Sequence, residues 1–346
     1  MRMSLPISEW PEQDRLMLEA LLQKGGPFDD RGAFADLRDS SIRLYTVCYA
    51  RWIQWLCRNA PETLQDPPVS RATLARMQDW LKSLDDVAPT SRKMFFTGAL
   101  QVLKAVAPEA DWAAHTRQKN RLSQAAGRGD PKRKQGRILS SRVLLSSALA
   151  HAAKSDDHAL TPLARAKCQR DGAMVALLAV MPMRHKALTA LRIGHTLLVT
   201  ATTIIVSLPR QLTKKSPPWE ADVPEPVATL LRRYLTEARP FLLSRSGKCH
   251  DNLWACDNGN PMSYSYVGRK IPAITLALTG KPIPPHFFRD CAATTLTRTS
   301  PNDAKLIRPV LGHANFKTAE QHYIQSETIE AVRDYNKLIS TMRKGL

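Results

Sequence analysis

The sequence predicts a mainly α-helical protein with a small antiparallel β-sheet, organised in two domains. Its 346 residues exceed the length that a single hydrophobic core usually supports. Apolar residues recur at three- and four-residue spacing over most of the chain, which is typical of amphipathic helices. One β-branched stretch, residues 197–206, departs from this period and indicates a strand.

Residues 1–120 are predicted to form a helical domain of about four helices. The strongest of them follows an N-cap cluster, Asp39-Ser40-Ser41, and carries apolar side chains at helical spacing as far as Leu56. The other periodic runs lie at 10–22, 74–84 and 90–103.

Residues 121–137 are predicted to be a basic linker, because glycines, a proline and cations replace the apolar residues there. Lys132, Arg133, Lys134 and Arg137 carry its positive charge. The segment is either a strap along a polyanion, where its cations would displace counterions, or a solvated hinge. The net charge of +19 and the pI near 10 favour the strap, with nucleic acid as the partner.

The second domain is predicted to span residues 138–346. A strand over 197–206, a hairpin turn over 211–218 and a returning strand over 219–223 would form its sheet. Helices are predicted at 140–152, 163–179, 187–192, 226–243, 263–278, 286–299, 302–311, 316–325 and 327–343.

Composition excludes several classes of protein. No run approaches the ~20 apolar residues that a membrane helix needs, and the N-terminus lacks an apolar signal region, so we expect a cytoplasmic, nucleoid-associated protein without membrane partners. The six cysteines include no CxxC pair. Cys249, His250 and Cys256 lack a second close pair of ligands, so no zinc site is predicted.

The residues that point to chemistry begin with His286 and Arg289. They lie three positions apart after Pro284-Pro285, at a predicted helix start, so they would share one helix face. Attack on a phosphodiester passes through a strongly anionic state, and a guanidinium binds two of its oxygens while staying charged. Together with Arg184, His313 and Tyr323, these two residues provide two guanidiniums, two imidazoles and a phenol, a set that suits phosphodiester cleavage without a metal.

The order of these residues resembles the tyrosine recombinase (phage-integrase-like, site-specific recombinase) family. The resemblance rests on Met183-Arg184, Thr213-Lys214 on the hairpin, His286-Phe-Phe-Arg289, Leu311-Gly-His313 and Tyr323, and covers about the last 200 residues. The N-terminal domain resembles the helical, SAM-like core-binding domain of that family more loosely. Two departures stand out: Ala187 replaces an acidic residue that the family often carries, and ten positions separate His313 from Tyr323, one more than is commonest.

The resemblance implies a role for each residue. Arg184 and Arg289 would bind the scissile phosphate, and His286 would manage protons. His313 would donate a hydrogen bond to a phosphate oxygen. Lys214, or its neighbour Lys215, would protonate the 5′ oxygen. Tyr323 would attack and hold the 3′ phosphate, with no metal, ATP or other cofactor.

The implied function is site-specific DNA recombination: integration, excision or resolution. By resemblance the working unit is a homotetramer on two double-stranded DNA sites, with accessory DNA-bending or directionality proteins as further partners. The apolar stripe of the last helix, 327–343, would dock on a neighbouring protomer or pack on its own domain. The alternatives are a DNA-relaxing (type IB topoisomerase-like) or hairpin-forming enzyme with the same tyrosine chemistry, a relative that binds DNA without cleaving it, and a metal-dependent nuclease.

Overall fold

The chain divides into two units, Met1–Pro131 and Lys132–Leu346. The computed structural model describes residues 4–26, 30–127, 134–213, 218–247 and 249–299 of these. The predictions for Lys132, Arg133, Lys214, Lys215, His313 and Tyr323, and for the helices beyond residue 300, lie outside the described residues.

The first unit is helical over its described residues and is built around two long helices. The helices are α1 (Glu12–Leu22), α2 (Asp39–Asn59), α3 (Pro68–Arg71), α4 (Leu74–Lys82), α5 (Pro89–Val106) and α6 (Ala113–Ala126). Helices α2 and α5 pack closely because Gly98 has no side chain: a Cβ there would lie 2.5 Å from the Cys48 sulfur. The aromatic core includes the fully buried Trp52, Trp80 and Phe96.

A buried ion pair joins three parts of this unit. Arg71 donates to the Asp14 carboxylate at 2.6 Å and both side chains are inaccessible to solvent. The Tyr49 hydroxyl donates to the same carboxylate at 2.7 Å. Burial, followed by the nearby Asp14 charge, raises the pKa of Tyr49 well above its ordinary value. Arg71 also donates to the carbonyls of Asp66 and Leu64, which compensates for the loss of water around its guanidinium.

Helix α6 extends into the segment that the sequence predicts to be a linker. Its residues are good helix formers with few apolar side chains, so periodicity does not reveal it. The structure shows what fixes it: the His115 ring bonds to the Ala72 carbonyl at 2.8 Å, and Trp112 and Leu122 pack on the core of the unit. The helix ends at Ala126.

The second unit combines helices with a three-stranded antiparallel sheet, whose strand order is β1-β2-β3. The strands are β1 (Leu197–Val199), β2 (Ile204–Leu208) and β3 (Trp219–Asp222), and the helices are α7 (Ser141–Ala153), α8 (Pro162–Val180), α9 (His185–Thr189), α10 (Val227–Arg233), α11 (Arg239–Ser244), α12 (Tyr264–Thr279) and α13 (Phe287–Thr299). A π-helical turn, Tyr234–Ala238, joins α10 to α11. The predicted fold class, mainly helical with a small antiparallel sheet, is confirmed.

The prediction of one long strand over 197–206 is wrong. The stretch forms two strands, paired Leu197 with Val206 and Val199 with Ile204. Thr200 and Thr203 close the turn between them, since the Thr200 N–H donates to the Thr203 carbonyl and the Thr203 N–H donates to the Thr200 hydroxyl. Threonine favours strands by propensity, yet its hydroxyl can also cap a tight turn, and here that second property prevails.

Helix α8 is the centre of the second unit. Every residue from Gln169 to Ala179 is buried, as expected for a helix enclosed on all sides. Gly172 allows α7 to approach, because a Cβ there would lie 2.7 Å from the Ala148 carbonyl oxygen. The one fully buried cation in this helix, Arg170, pairs with Asp171 and with Asp257, at 2.9 and 2.7 Å. Over the described residues, the structure contains no helix long and apolar enough to span a bilayer.

Candidate active site

Arg184 stands at the junction between α8 and α9. The preceding Met181 and Met183 are buried and fix the chain, and Arg184 itself is half-buried with extended backbone just before α9. Its Nη1 donates to the Thr213 carbonyl at 2.7 Å, and burial lowers its pKa. Ala187, at the position where the family often has an acid, is 1% exposed, so a methyl group there fills the core.

The proline pair before α13 positions His286 and Arg289. The Phe287 N–H donates to the Pro284 carbonyl at 2.9 Å, closing a turn that leads into the helix. Phe287 and Phe288 are buried, which leaves His286 exposed and Arg289 partly buried. The helix therefore begins one residue later than predicted: His286 lies in the turn, and Arg289 lies in the first helical turn.

Arg289 and Arg184 lie within each other's electrostatic field. Arg289 Nη1 donates at 3.0 Å to the carbonyl of Pro182, two residues before Arg184. Burial, and then the charge of Arg184, lowers the pKa of Arg289 from 12.5 to about 10, while Asp290 acts in the opposite direction. Two partly buried guanidiniums that repel each other are relieved by an anion, so this arrangement is suited to binding one.

His185 is a site residue that the sequence reasoning missed. It follows Arg184 directly, and its ring stacks on that of Tyr264 with the centroids 3.8 Å apart. A Cβ on Gly268 would lie 2.9 Å from its Cε1 atom, so only glycine leaves room for the ring. The pKa of His185 is lowered, chiefly by burial and further by the nearby His286. A hydrogen bond with the Tyr264 backbone acts in the opposite direction. The only sequence signal was a histidine beside the predicted arginine.

The structure thus brings Arg184 close to Arg289, and His286 close to His185, the residue that follows Arg184. Lys214 follows Thr213, whose carbonyl accepts from Arg184, but Lys214 itself is not among the described residues.

Two of the predicted linker cations belong to the second unit and form contacts within it. Lys134 pairs with Asp290 at 2.8 Å, and Arg137 donates through Nε to the Pro282 carbonyl at 3.0 Å. Both contacts involve α13 or the loop before it. Their other role, as contacts to DNA, stays a prediction.

Within the described ranges, no group of three His, Cys, Asp or Glu side chains is arranged to hold a metal ion. The ring of His250 instead contacts the Gly259 carbonyl at 3.2 Å, and Cys249 and Cys256 are free thiols.

A match to a family model defines the class of the protein: a tyrosine-type DNA strand transferase. The model of the phage integrase family matches residues 150–329, just over half of the chain, and the chain belongs to that family.

Solved structures of recombinases are similar in fold. The XerH site-specific recombinase bound to difH substrate, a pre-cleavage complex, is 14% identical with a TM-score of 0.56 over 93% of this chain and 97% of that chain. XerH bound to palindromic difH substrate, a post-cleavage complex, is 14% identical with a TM-score of 0.51 over 96% of this chain and 100% of that chain. No curated protein matches the sequence.

Proposed function

We propose that this chain is a site-specific DNA recombinase that cleaves and rejoins DNA through a 3′-phosphotyrosyl intermediate. The observation that carries the proposal is the pair Arg184 and Arg289, held by the carbonyls of Thr213 and Pro182 within each other's field. Burial lowers the pKa of both residues, and the charge of Arg184 lowers that of Arg289 further, so a bound anion would stabilise the charged form of both. A phosphodiester, with two non-bridging oxygens for the two guanidiniums, is the matching ligand.

In the proposed reaction the Tyr323 oxygen attacks the phosphorus and forms a P–O bond. The bond from phosphorus to the 5′ oxygen breaks, and Lys214 gives a proton to that oxygen. The 5′ hydroxyl of a second strand reverses the step and releases the tyrosine. Phosphate-ester energy is conserved in the phosphotyrosine, so the exchange needs no ATP, and the fixed cations replace a metal.

The histidines complete the proposed site. His286, exposed in the turn before α13, would exchange protons with the phenol. His313 would donate to a phosphate oxygen. We assign Lys132, Arg133 and Arg137 to the path of the DNA backbone, because positive charge concentrates there, whereas Lys134 pairs with Asp290.

The proposed assembly is a homotetramer that acts on two double-stranded DNA sites in the nucleoid, in the cytoplasm. Contacts between protomers would come from the last predicted helix, residues 327–343. The XerH structures, solved as substrate-bound complexes before and after cleavage, support DNA as the substrate. Accessory DNA-bending or directionality proteins fit the same scheme.

A covalent trapping experiment tests the proposal. The probe is a set of nicked duplexes from the DNA flanking the gene, built so that the cleaved strand leaves and resealing fails. We expect the wild type to form an adduct that resists SDS and survives EDTA. Tyr323→Phe should form none, because it lacks the attacking oxygen, and the matched control Tyr266→Phe should behave as the wild type, because its ring would keep its packing on the core.

The other outcomes identify the other functions. Binding without an adduct indicates a DNA-binding relative that has lost cleavage. An adduct with relaxation of one plasmid, but no exchange between duplexes, indicates a topoisomerase-like enzyme. Cleavage that stops in EDTA indicates a metal-dependent nuclease.

A further inference from the structure

The segment through which the chain enters the second unit, residues 134–141, is fixed along the helix that carries Arg289. We call it the entry segment. Lys134 pairs with Asp290, and the backbone N–H of Ser141 donates to the Thr295 hydroxyl at 2.8 Å. Asp290 and Thr295 lie on successive turns of α13, so the entry segment runs beside this helix.

Arg137 secures the middle of the entry segment. It donates to the Pro282 carbonyl through Nε at 3.0 Å and through Nη2 at 2.5 Å. Its guanidinium also lies over the Phe287 ring, 5.3 Å from the centroid. Phe287 is buried and directly follows His286. The entry segment therefore contacts both the loop before the histidine and the helix after it.

Lys134 is the residue of the entry segment that neutralises a charge next to Arg289. Its partner Asp290 is the immediate neighbour of Arg289, and the Asp290 carboxylate acts to raise the pKa of Arg289, although less strongly than burial and the charge of Arg184 lower it. An unpaired carboxylate at this place would repel the anion that Arg289 is proposed to bind. The Lys134 ammonium, 2.8 Å away, balances it.

We propose that Lys134 is a positioning residue, whose ion pair with Asp290 keeps that carboxylate from opposing the scissile phosphate at Arg289. The inference rests on the proposed function. It differs from a contact between Lys134 and DNA, because Lys134 acts here through Asp290 and Arg289. The pair is partly exposed, with side-chain exposures of 53% and 20%, so it adds little to folding, and its loss should leave the fold intact.

Three variants test the inference: Lys134→Gln, Asp290→Asn and the double variant. The probe is the nicked duplex that gives an adduct with the wild type, used at saturating protein in single-turnover measurements. Affinity for the uncleaved duplex is measured over a salt series, and thermal unfolding confirms folding. Arg142→Gln is the matched control, because it removes one cation from the exposed start of α7 nearby.

Lys134→Gln should slow adduct formation roughly tenfold, the effect of one unbalanced charge close to a partly exposed anion site. Its affinity and the dependence of affinity on salt should stay within twofold of the wild type. Asp290→Asn should cleave at least as fast as the wild type, and the double variant should match Asp290→Asn, because no carboxylate remains to be balanced. Arg142→Gln should cleave at the wild-type rate.

Other results would overturn the inference. Cleavage by Lys134→Gln at the wild-type rate removes the proposed role. A slow double variant shows that Asp290 is not the intermediary. A weaker affinity with a salt slope lower by about one identifies a direct phosphate contact instead. Absence of an adduct in the wild type overturns the proposed function and this inference together, whereas a wild-type adduct with these other results overturns the inference alone.

Discussion

Replacement of Arg289 by lysine should make cleavage sensitive to mildly alkaline pH. The structure lowers the pKa of Arg289 from 12.5 to about 10 through burial and the charge of Arg184. The same surroundings would act on a lysine and would lower its pKa below the ordinary value of about 10.4. Lysine is charged below its pKa, so Arg289→Lys should bind the phosphate at pH 7 and lose this ability as the pH rises into the mildly alkaline range.

The assay is the pH dependence of kcat/KM for adduct formation, which reports the free enzyme. The wild type should show no loss attributable to this residue between pH 7 and 9, because its guanidinium stays charged there. Even at pH 7 the variant should be slower, since lysine does not reproduce the forked donor geometry of arginine. Arg192→Lys is the matched control: this exposed arginine pairs with Asp251 outside the candidate site. An Arg289→Lys profile parallel to that of the wild type would refute the reasoning.

Three further predictions follow from other parts of the molecule. Arg71→Met should lower the free energy of unfolding by about 3–5 kcal/mol in denaturant titrations, because it leaves the buried Asp14 without its cation. A smaller loss in the double variant with Asp14→Leu would support this cause. Gly172→Ala should cost about 1–3 kcal/mol, measured in the same way, because its Cβ would meet the Ala148 carbonyl; an unchanged midpoint would contradict the close packing of α7 and α8. DNA affinity should fall linearly on a log–log plot against salt, with a slope of about −0.9 per neutralised phosphate, and a flat plot would argue against backbone contacts.

Long helices rich in apolar residues were predictable from local sequence. The run at 163–179 corresponds to Pro162–Val180, and that at 263–278 corresponds to Tyr264–Thr279. Ser263 caps the second through its hydroxyl, which accepts from the Tyr266 N–H, so its start also has a local cause. Helix α6 was missed because a few distant contacts fix it, His115 to Ala72 among them, and no local pattern encodes those.

The candidate site shows the same division. Arg184, His286 and Arg289 could be selected from residue type and order because their chemistry is specific. The stacking of His185 on Tyr264 could not, since 79 positions separate the two residues and neither belongs to a motif. The pair of Lys134 with Asp290 spans 156 positions, and charge counting alone suggested only that the lysine would meet a polyanion.

The hydrogen bond from Arg184 to the Thr213 carbonyl couples two events: anion binding at Arg184 and the positioning of Thr213. The guanidinium serves two partners, a backbone oxygen that leads to Lys214 and any anion at the site. If a bound anion strengthens the hydrogen bond from Arg184 to Thr213, formation of that hydrogen bond must strengthen anion binding by the same free energy. Substrate would then favour the hydrogen bond that holds Thr213, the residue before the proposed proton donor.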